Sequence, residues 1–337
     1  MKSILYIGNK LSRHGFTPGV IETFGSLLET EDFKVSYAGT VKNQYLRLVE
    51  MLWKTLSIGR RADYIIIDTY STLAFWYAYI TGRLAKLIGT KYITILRGGD
   101  LPARLRKSKH ACDRLFGKSY ANVALSGYIQ TVFDSAGYHA IIIPNIIDIS
   151  KYPFKLRDHC RPRLLWVRSF HRQYNPNMAA DVLCELLQIH SDAELCMVGP
   201  NKDGSMEEFR KYLQQTGIEK HIKITGKLSK AEWIKLSEDY DFFINTTNVD
   251  NTPVSVIEAL ALGMCVISTD PDGIPYLLND GIDSFLVKTG DSEGMANQIL
   301  NLINNEMLAA NISGNARKKA QTFDWEQIRH KWIELLK

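Results

Sequence analysis

Asp250 and Glu258 are two carboxylates separated by seven residues, and a helix start falls between them. The surrounding segment, INTTNVDNTPVSVIEALALG, reads as strand, loop and helix. Thr252 is expected to cap the helix and Pro253 to take its first position, because proline has no N–H to leave unsatisfied there and its φ is already helical. The amides of Val254 and Ser255 would then face outward at the positive end of the helix dipole, a place that favours a diphosphate. Glu258 follows inside the helix, where its carboxylate can accept hydrogen bonds from a ribose diol. Taken alone, two acids at one spacing are weak, since such pairs arise by chance in many chains.

The elements that must position these groups are short β-branched runs alternating with amphipathic stretches. In the first half they are SILYIG, FKVSYAG, ADYIIIDT, KYITILR, ANVALS and AIIIPN. RLLWVRS, AELCMVG, IKIT, DFFINT, CVIST and SFLV follow in the second, with helices between them such as 175–189 and 230–238. Such alternation predicts mostly parallel, doubly wound sheets, whose ligands bind beyond the carboxyl ends of the strands. The pattern pauses in ISKYPFKLRDHCRPR, which places a linker near residue 150. Domains are therefore expected over 1–150 and 151–322. A closing helix over 323–337 would pack back through Trp325, Ile328, Trp332 and Leu335, roughly one turn apart.

Composition narrows the class. At 337 residues the chain is long enough for two domains. Arg83 and Lys86 interrupt its richest apolar stretch, so no membrane span is expected, and MKSILYIGNK reads as a first strand, not a signal peptide. Five scattered cysteines have neither zinc-site spacing nor an even count, which fits reduced thiols in the cytoplasm. The net charge of +5 is carried by the first half, while the second is slightly acidic. Cations concentrate in RLRKSKHACDRLFGK and around Leu52, Trp53, Lys54, Arg60 and Arg61, where apolar residues lie among them. That mixture suits either solvated helix faces or peripheral contact with an anionic membrane at its inner face. No nucleic-acid signature is present. No His, Asp and Glu cluster has ligand spacing, so neither a metal nor another cofactor is expected.

The segment over 244–281 resembles the signature of family 4 retaining glycosyltransferases of the GT-B fold, normally two glutamates separated by seven residues and followed by a small-residue helix and a glycine. EALALG and DGIPYLLNDG match that pattern, with Asp250 in place of the first glutamate. IIPNIIDISKYPF resembles the family's interdomain segment, with Ile146 where glycine is usual. LLWVRSF resembles the strand whose arginine contacts the donor diphosphate, which would make Arg168 that residue. VGP and ITGKLS resemble its glycine-containing loops near the nucleotide base, which would bring Gly199, Pro200, Lys227 and Leu228 to the donor.

The resemblance implies an α/β, GT-B architecture of two Rossmann-like doubly wound domains facing across a cleft. It implies a glycosyltransferase acting on a nucleoside diphosphate sugar, UDP before GDP, with a saccharide or lipid-linked saccharide as acceptor. Asp250, Glu258, Arg168 and Arg97 would be the reacting-centre residues. Thr252, Pro253, Val254 and Ser255 would hold the donor phosphates. The family's donor-binding lysine has no clear equivalent, leaving Arg172 or Tyr174 in its place. In the first domain Arg97 replaces the histidine usual at a strand end, a fixed cation for a titratable base. Together with Gly98, Gly99, Asp100, His14, Gly15 and Phe16 it is expected to touch the acceptor. Rival readings are a non-catalytic nucleotide-sugar-binding protein, another GT-B enzyme such as a nucleotide-sugar epimerase, and a dehydrogenase. GNKLSRHG lacks the G-x-G-x-x-G that would favour the last.

Overall fold

A computed structural model describes residues 1–16 and 18–337. The chain divides into two units, the first formed by Met1–Ile146 with Arg329–Lys337 and the second by Ile147–Ile328.

The first unit is a six-stranded parallel sheet in the order β2-β1-β3-β4-β5-β6. Its strands are β1 (Ser3–Ile7), β2 (Lys34–Ala38), β3 (Tyr64–Thr69), β4 (Lys91–Leu96), β5 (Ala121–Ala124) and β6 (Ala140–Ile142). The connecting helices are α1 (Val20–Thr30), α2 (Gln44–Ser57), α3 (Phe75–Leu87), α4 (Leu101–Lys107), α5 (Lys109–Leu115) and α6 (Gly127–Ser135). Every residue of β3 is buried, the consequence of a parallel strand covered by helices on both faces. The basic stretch after Asp100 is two helices broken at Ser108. Trp332, from the end of the chain, packs on Phe24 of α1 with ring centroids 4.5 Å apart.

The second unit repeats the plan in the order β12-β11-β10-β7-β8-β9, again all parallel. Its strands are β7 (Arg163–Val167), β8 (Glu194–Val198), β9 (Ile222–Gly226), β10 (Phe242–Asn245), β11 (Cys265–Thr269) and β12 (Phe285–Val287). The helices are α7 (Pro176–Leu187), α8 (Ser205–Thr216), α9 (Lys230–Leu236), α10 (Val254–Ala261), α11 (Ile274–Leu277), α12 (Ser292–Ile303) and α13 (Glu306–Gln321), while α14 (Trp325–Leu335) begins in this unit and belongs to the first from Arg329 on. Leu336 is fully buried where the helical spacing pointed to Leu335, which is half-buried.

The residues after Ile146 are built into this second unit. The Ile147 amide donates to the Phe323 carbonyl at 3.0 Å, and Trp325 returns a bond to the Ile147 carbonyl at 3.2 Å. Arg157, almost fully buried, donates to the carbonyls of Lys155, Leu262, Ser237 and Tyr240. A guanidinium carries five N–H donors, so one side chain can close several loop and helix-end carbonyls together. Both sheets reverse their winding once. In the first the reversal lies between β1 and β3, and in the second between β7 and β10. Loops leaving such neighbours diverge and open a crevice at the carboxyl ends.

Candidate active site

Arg168 leaves the end of β7 and Asp250 lies in the loop leaving β10, so the reversal in winding brings them together. The guanidinium is ion-paired with the Asp250 carboxylate. Its Nε donates to Asn245 Oδ1 at 3.3 Å, and its carbon stands 4.6 Å from the centre of the Tyr174 ring. The side chains of Arg168 and Asp250 are 12% and 14% exposed, so the pair is shielded yet open on one side. Burial pushes the Tyr174 phenol up, with Arg168 acting the other way, and the ring stays a neutral platform beneath the cation.

The loops carrying these groups are tied to each other. Thr246 Oγ1 donates to the Tyr174 carbonyl at 2.8 Å and accepts from Trp166 Nε1 at 3.0 Å. Asn248 donates its amide to Gln173, and Gln173 Nε2 donates to the Val249 carbonyl, both at 2.8 Å. Gly273 donates to the Asp250 carbonyl at 3.0 Å, and a β-carbon at Gly273 would lie 2.0 Å from the Asn251 carbonyl oxygen. At Gly199 a β-carbon would lie 1.7 Å from the Arg168 carbonyl, so only glycine lets these two strand ends approach. Pro200 accepts from the Phe170 amide at 2.8 Å.

Glu258 lies inside α10 and is buried. Its Oε1 accepts from the Tyr152 hydroxyl at 2.8 Å and is ion-paired with Lys230. No donor among the described residues bonds Oε2. Burial, reinforced by the adjacent Glu258 charge, drives the Tyr152 phenol well above its ordinary value, so it remains a donor to the carboxylate. Neither Tyr152 nor Lys230 was singled out from the sequence as a site residue. Both stand in or next to segments whose likeness to the family was noted, ISKYPF and ITGKLS, but only the fold shows that each converges on Glu258.

The helix start differs from expectation in one respect. Helix α10 begins at Val254, and Pro253 is its extended N-cap residue, with φ −67° and ψ 119° and no side-chain cap bond. Thr252 is one position further out and buried, so it does not cap the helix. Val254 and Ser255 remain the first two helical residues, and their amides have no acceptor among the described residues. Ser255 Oγ, out of contact with solvent, likewise has no partner among them. This end of α10 therefore presents unpaired donors at the positive pole of its dipole.

Of the two candidates for the missing lysine, Tyr174 is the one beside Arg168. Arg172 is turned away to Glu208 of α8, 2.6 Å distant, and is largely exposed. Lys227 is exposed and Leu228 half-buried in the loop before α9.

In the first unit the side chain of Arg97, beyond β4, is only 7% exposed and not a free cation at a strand end. Its Nε donates to Asp68 at the end of β3 at 2.5 Å, its Nη2 to the Tyr6 hydroxyl at 3.0 Å, and its Nη1 is 3.4 Å from Asn145 Oδ1. Tyr6 also donates to Asp68 at 3.1 Å. Burial acts to lower the Arg97 pKa, but the Asp68 carboxylate and its neighbours outweigh it and hold it above its ordinary value. Gly98, Gly99 and Asp100 lead from it into α4, with Asp100 exposed at the cap. His14 faces the Thr40 carbonyl at 2.9 Å, Gly15 is left-handed with φ 82°, and the Phe16 ring is half exposed. These three lie in the loop after β1, whose neighbours in the sheet are β2 and β3, while Gly98 to Asp100 follow β4, one strand further along the same carboxyl edge. Among the described residues no three His, Cys, Asp or Glu side chains gather where they could hold a metal ion. None of the described helices is long and apolar enough to cross a membrane.

Two Rossmann-like α/β units with an arginine and two acids at the second switch point define a GT-B protein. The structure of Anabaena HepE in complex with UDP and glucose is similar over 100% of this chain and 99% of that one, with a TM-score of 0.79 at 19% identity. Sucrose-phosphate synthase from Thermosynechococcus elongatus is similar over 99% and 98%, with a TM-score of 0.82 at 13% identity. The chain belongs to the family of glycosyl transferases group 1, which it matches over residues 149–319. Its curated relatives include the amylovoran biosynthesis glycosyltransferase AmsK of Erwinia amylovora, 25% identical over 71% of this chain and 62% of the relative. A phosphatidyl-myo-inositol mannosyltransferase of Mycobacterium leprae is 24% identical over 58% and 52%. The matched part thus spans less than two thirds of either relative.

Proposed function

We propose that the chain transfers a sugar, with retention of configuration and without a metal, from a nucleoside diphosphate sugar to a saccharide or lipid-linked saccharide. UDP is favoured over GDP, in keeping with the UDP held by the similar HepE structure. A lipid-linked acceptor is in keeping with the relative named for phosphatidyl-myo-inositol. The observation that carries the reading is that Arg168 is paired with Asp250 in the loop leading directly into α10, whose first amides, at Val254 and Ser255, are unpaired among the described residues and whose Glu258 is buried.

In this reading the ribose hydroxyls donate to Glu258, whose position is held by Tyr152 and Lys230. The diphosphate takes the α10 amides and draws Arg168 from Asp250, which is freed to accept from sugar hydroxyls. As the acceptor oxygen bonds to the anomeric carbon, the bond to the diphosphate breaks. The acceptor proton passes to the departing phosphate oxygen on the same face. Arg168 and the helix amides stabilise the charge that develops there. His14, Gly15, Phe16 and Gly98 to Asp100 are assigned to the acceptor, with Arg97 positioning their loops through Asp68 and Tyr6.

The test is turnover of a panel of UDP- and GDP-sugars with and without EDTA. The expected result is nucleotide release that depends on one base and one sugar and is unchanged by the chelator. Tight nucleotide binding with no release for any sugar would instead leave a binding protein, and loss of release in EDTA would sink the metal-free chemistry.

A further inference from the structure

Lys118 ends the basic run RLRKSKHACDRLFGK, and the fold sets it beside two other lysines at the amino edge of the first sheet, opposite the carboxyl-edge loops assigned to the acceptor. A cavity of 350 Å³ opens there. It is lined by Lys86 from the last turn of α3, by Gly89 and Lys91 where the chain enters β4, and by Lys118, Ser119 and Tyr120 ahead of β5. All three lysines are exposed. The backbone of the wall is fixed by bonds to the sheet and its loops. The Tyr120 amide donates to the Tyr92 carbonyl at 2.8 Å, Ser119 Oγ to the Phe116 carbonyl at 2.9 Å and Thr90 Oγ1 to the Gly59 carbonyl at 2.9 Å. A β-carbon at Gly89 would meet nothing within 4 Å, so the cavity is open on that side.

Charge identifies what such a cavity would hold. No acid stands in its wall, and among the described residues none of its three lysines is ion-paired. Lys91 Nζ instead stands 4.6 Å from the centre of the Tyr120 ring and 5.6 Å from that of Tyr64, and Tyr120 remains 47% exposed. An adjoining cavity of 380 Å³ shares Gly89, Thr90 and Lys91 and adds Lys2 and Arg60. The one acidic side chain in its wall, Asp63, is held by the amide and hydroxyl of Ser3 at 2.7 and 3.0 Å, and Lys2 is bonded to the Lys337 carbonyl. Lysine at a helix C-terminus ordinarily complements the helix dipole, and α3 and α5 both end at this edge. Each end supplies at most about half a negative charge, so the two together leave about two of the three positive charges unmatched. The excess suits an anion of two or more charges.

We propose that this cavity is a second binding site, for a small molecule carrying two or more linked phosphates, and that it is distinct from the donor site on α10. Ammonium groups take phosphate as point charges, and the volume falls in the range of about 300–1,000 Å³ typical of small-ligand sites. The exposed Tyr120 ring adds a face on which a base can stack when the phosphates belong to a nucleotide. Substrates of doubly wound sheets lie beyond the carboxyl ends of the strands, so a molecule held at the amino edge is an effector and not a reactant.

The test is titration calorimetry of the whole chain with inorganic pyrophosphate, sulfate and adenosine triphosphate, with ionic strength matched by sodium chloride. Pyrophosphate is expected to bind, and to bind at least about tenfold more weakly to a Lys91→Gln, Lys118→Gln variant that melts at the wild-type temperature. Lys86→Gln alone should weaken it in the same direction. The proposed donor site also takes a diphosphate, so the titration is repeated on Arg168→Ala, which is expected to keep the lysine-dependent binding. Tighter binding of the triphosphate than of pyrophosphate, with the excess lost in Tyr120→Leu, assigns the site to a nucleotide, and equal binding of the two assigns it to an inorganic phosphate chain. A Lys91→Gln, Lys118→Gln variant that binds pyrophosphate as wild type does would overturn the proposal. So would sulfate binding as tightly as pyrophosphate, or loss of all pyrophosphate binding in Arg168→Ala. The donor reading is untouched by these outcomes, because UDP stabilisation of the lysine variants reports on it separately.

Discussion

At the scale of residues, each acid of the spaced pair is already neutralised by a cation, Asp250 by Arg168 and Glu258 by Lys230. Shielded charges are costly without partners, so the site is held together by the same groups that a donor would have to engage. Arg168 has the most to lose on substitution, because one planar fork touches Asp250, Asn245 and the Tyr174 face at once. In the proposed mechanism Arg168→Ala lowers kcat/KM by about 10²–10³-fold, the range for removing one donor to a developing oxyanion. Arg168→Lys should recover only part of the loss, since an ammonium keeps the charge but not the fork. Steady-state kinetics on both variants check this, and an Arg168→Ala enzyme with normal kcat/KM would remove the arginine from the reaction.

At the scale of elements, the strands were the most legible part of the chain. YIIIDT and CVIST are buried along their whole length, and strands covered on both faces read as unbroken apolar runs. The crevice at the second switch point follows from their order, and Arg168 and Glu258 can be named from the sequence because they sit in segments with a recognisable pattern. The stretch 151–162 was not legible in the same way. It has no apolar period and reads as a linker, yet Tyr152, Arg157 and Cys160 are all buried. Their order comes from partners far along the chain. Arg157 reaches carbonyls near residue 240 and at Leu262, and Arg317 donates to the carbonyls of Tyr152 and Ala261. A local pattern cannot display such bonds, and so Tyr152 was missed as a partner of Glu258. Arg97 shows the converse. Its place at a strand end suggested an open cation, but whether it faces solvent or Asp68 depends on β3 and β1, which no reading of ILRGGD contains.

At the scale of the whole molecule, buried and bonded titratable groups set the pH range of stability. Burial pushes the Cys112 thiol up to about 11. Its bond to Asp181, together with burial, raises the Tyr212 phenol to about 12. The phenols of Tyr92 and Tyr240 are raised further, again by burial. A group whose folded pKa is raised contributes stability that is complete below its unfolded value, about 8.5 for a thiol and about 10 for a phenol. That stability is lost as the pH climbs through the folded value. On the acid side, the Ser205 hydroxyl holds Asp203 down to about 2. Glu50 is held low by Lys54 and Thr40 in spite of its burial. Their stabilisation is complete above the ordinary carboxylate value, about 4, and lost as the pH falls through the lowered ones. The melting temperature is therefore expected to be flat from about pH 5 to 8.5 and to fall on both sides. A rise in Tm above pH 9, in scanning calorimetry across that range, would contradict the assignment of these buried groups.

The central claim, that Glu258 and its neighbours form the nucleotide site, is tested most directly by thermal unfolding of wild type and Glu258→Gln with UDP. The substitution keeps the side chain's shape, so any loss reports on the carboxylate rather than on a cavity. At about 100 times its dissociation constant a ligand stabilises the native state by roughly 2.7 kcal/mol, or several degrees in Tm. The account predicts that shift in wild type and its near absence in Glu258→Gln. An equal shift in both proteins would place the nucleotide elsewhere.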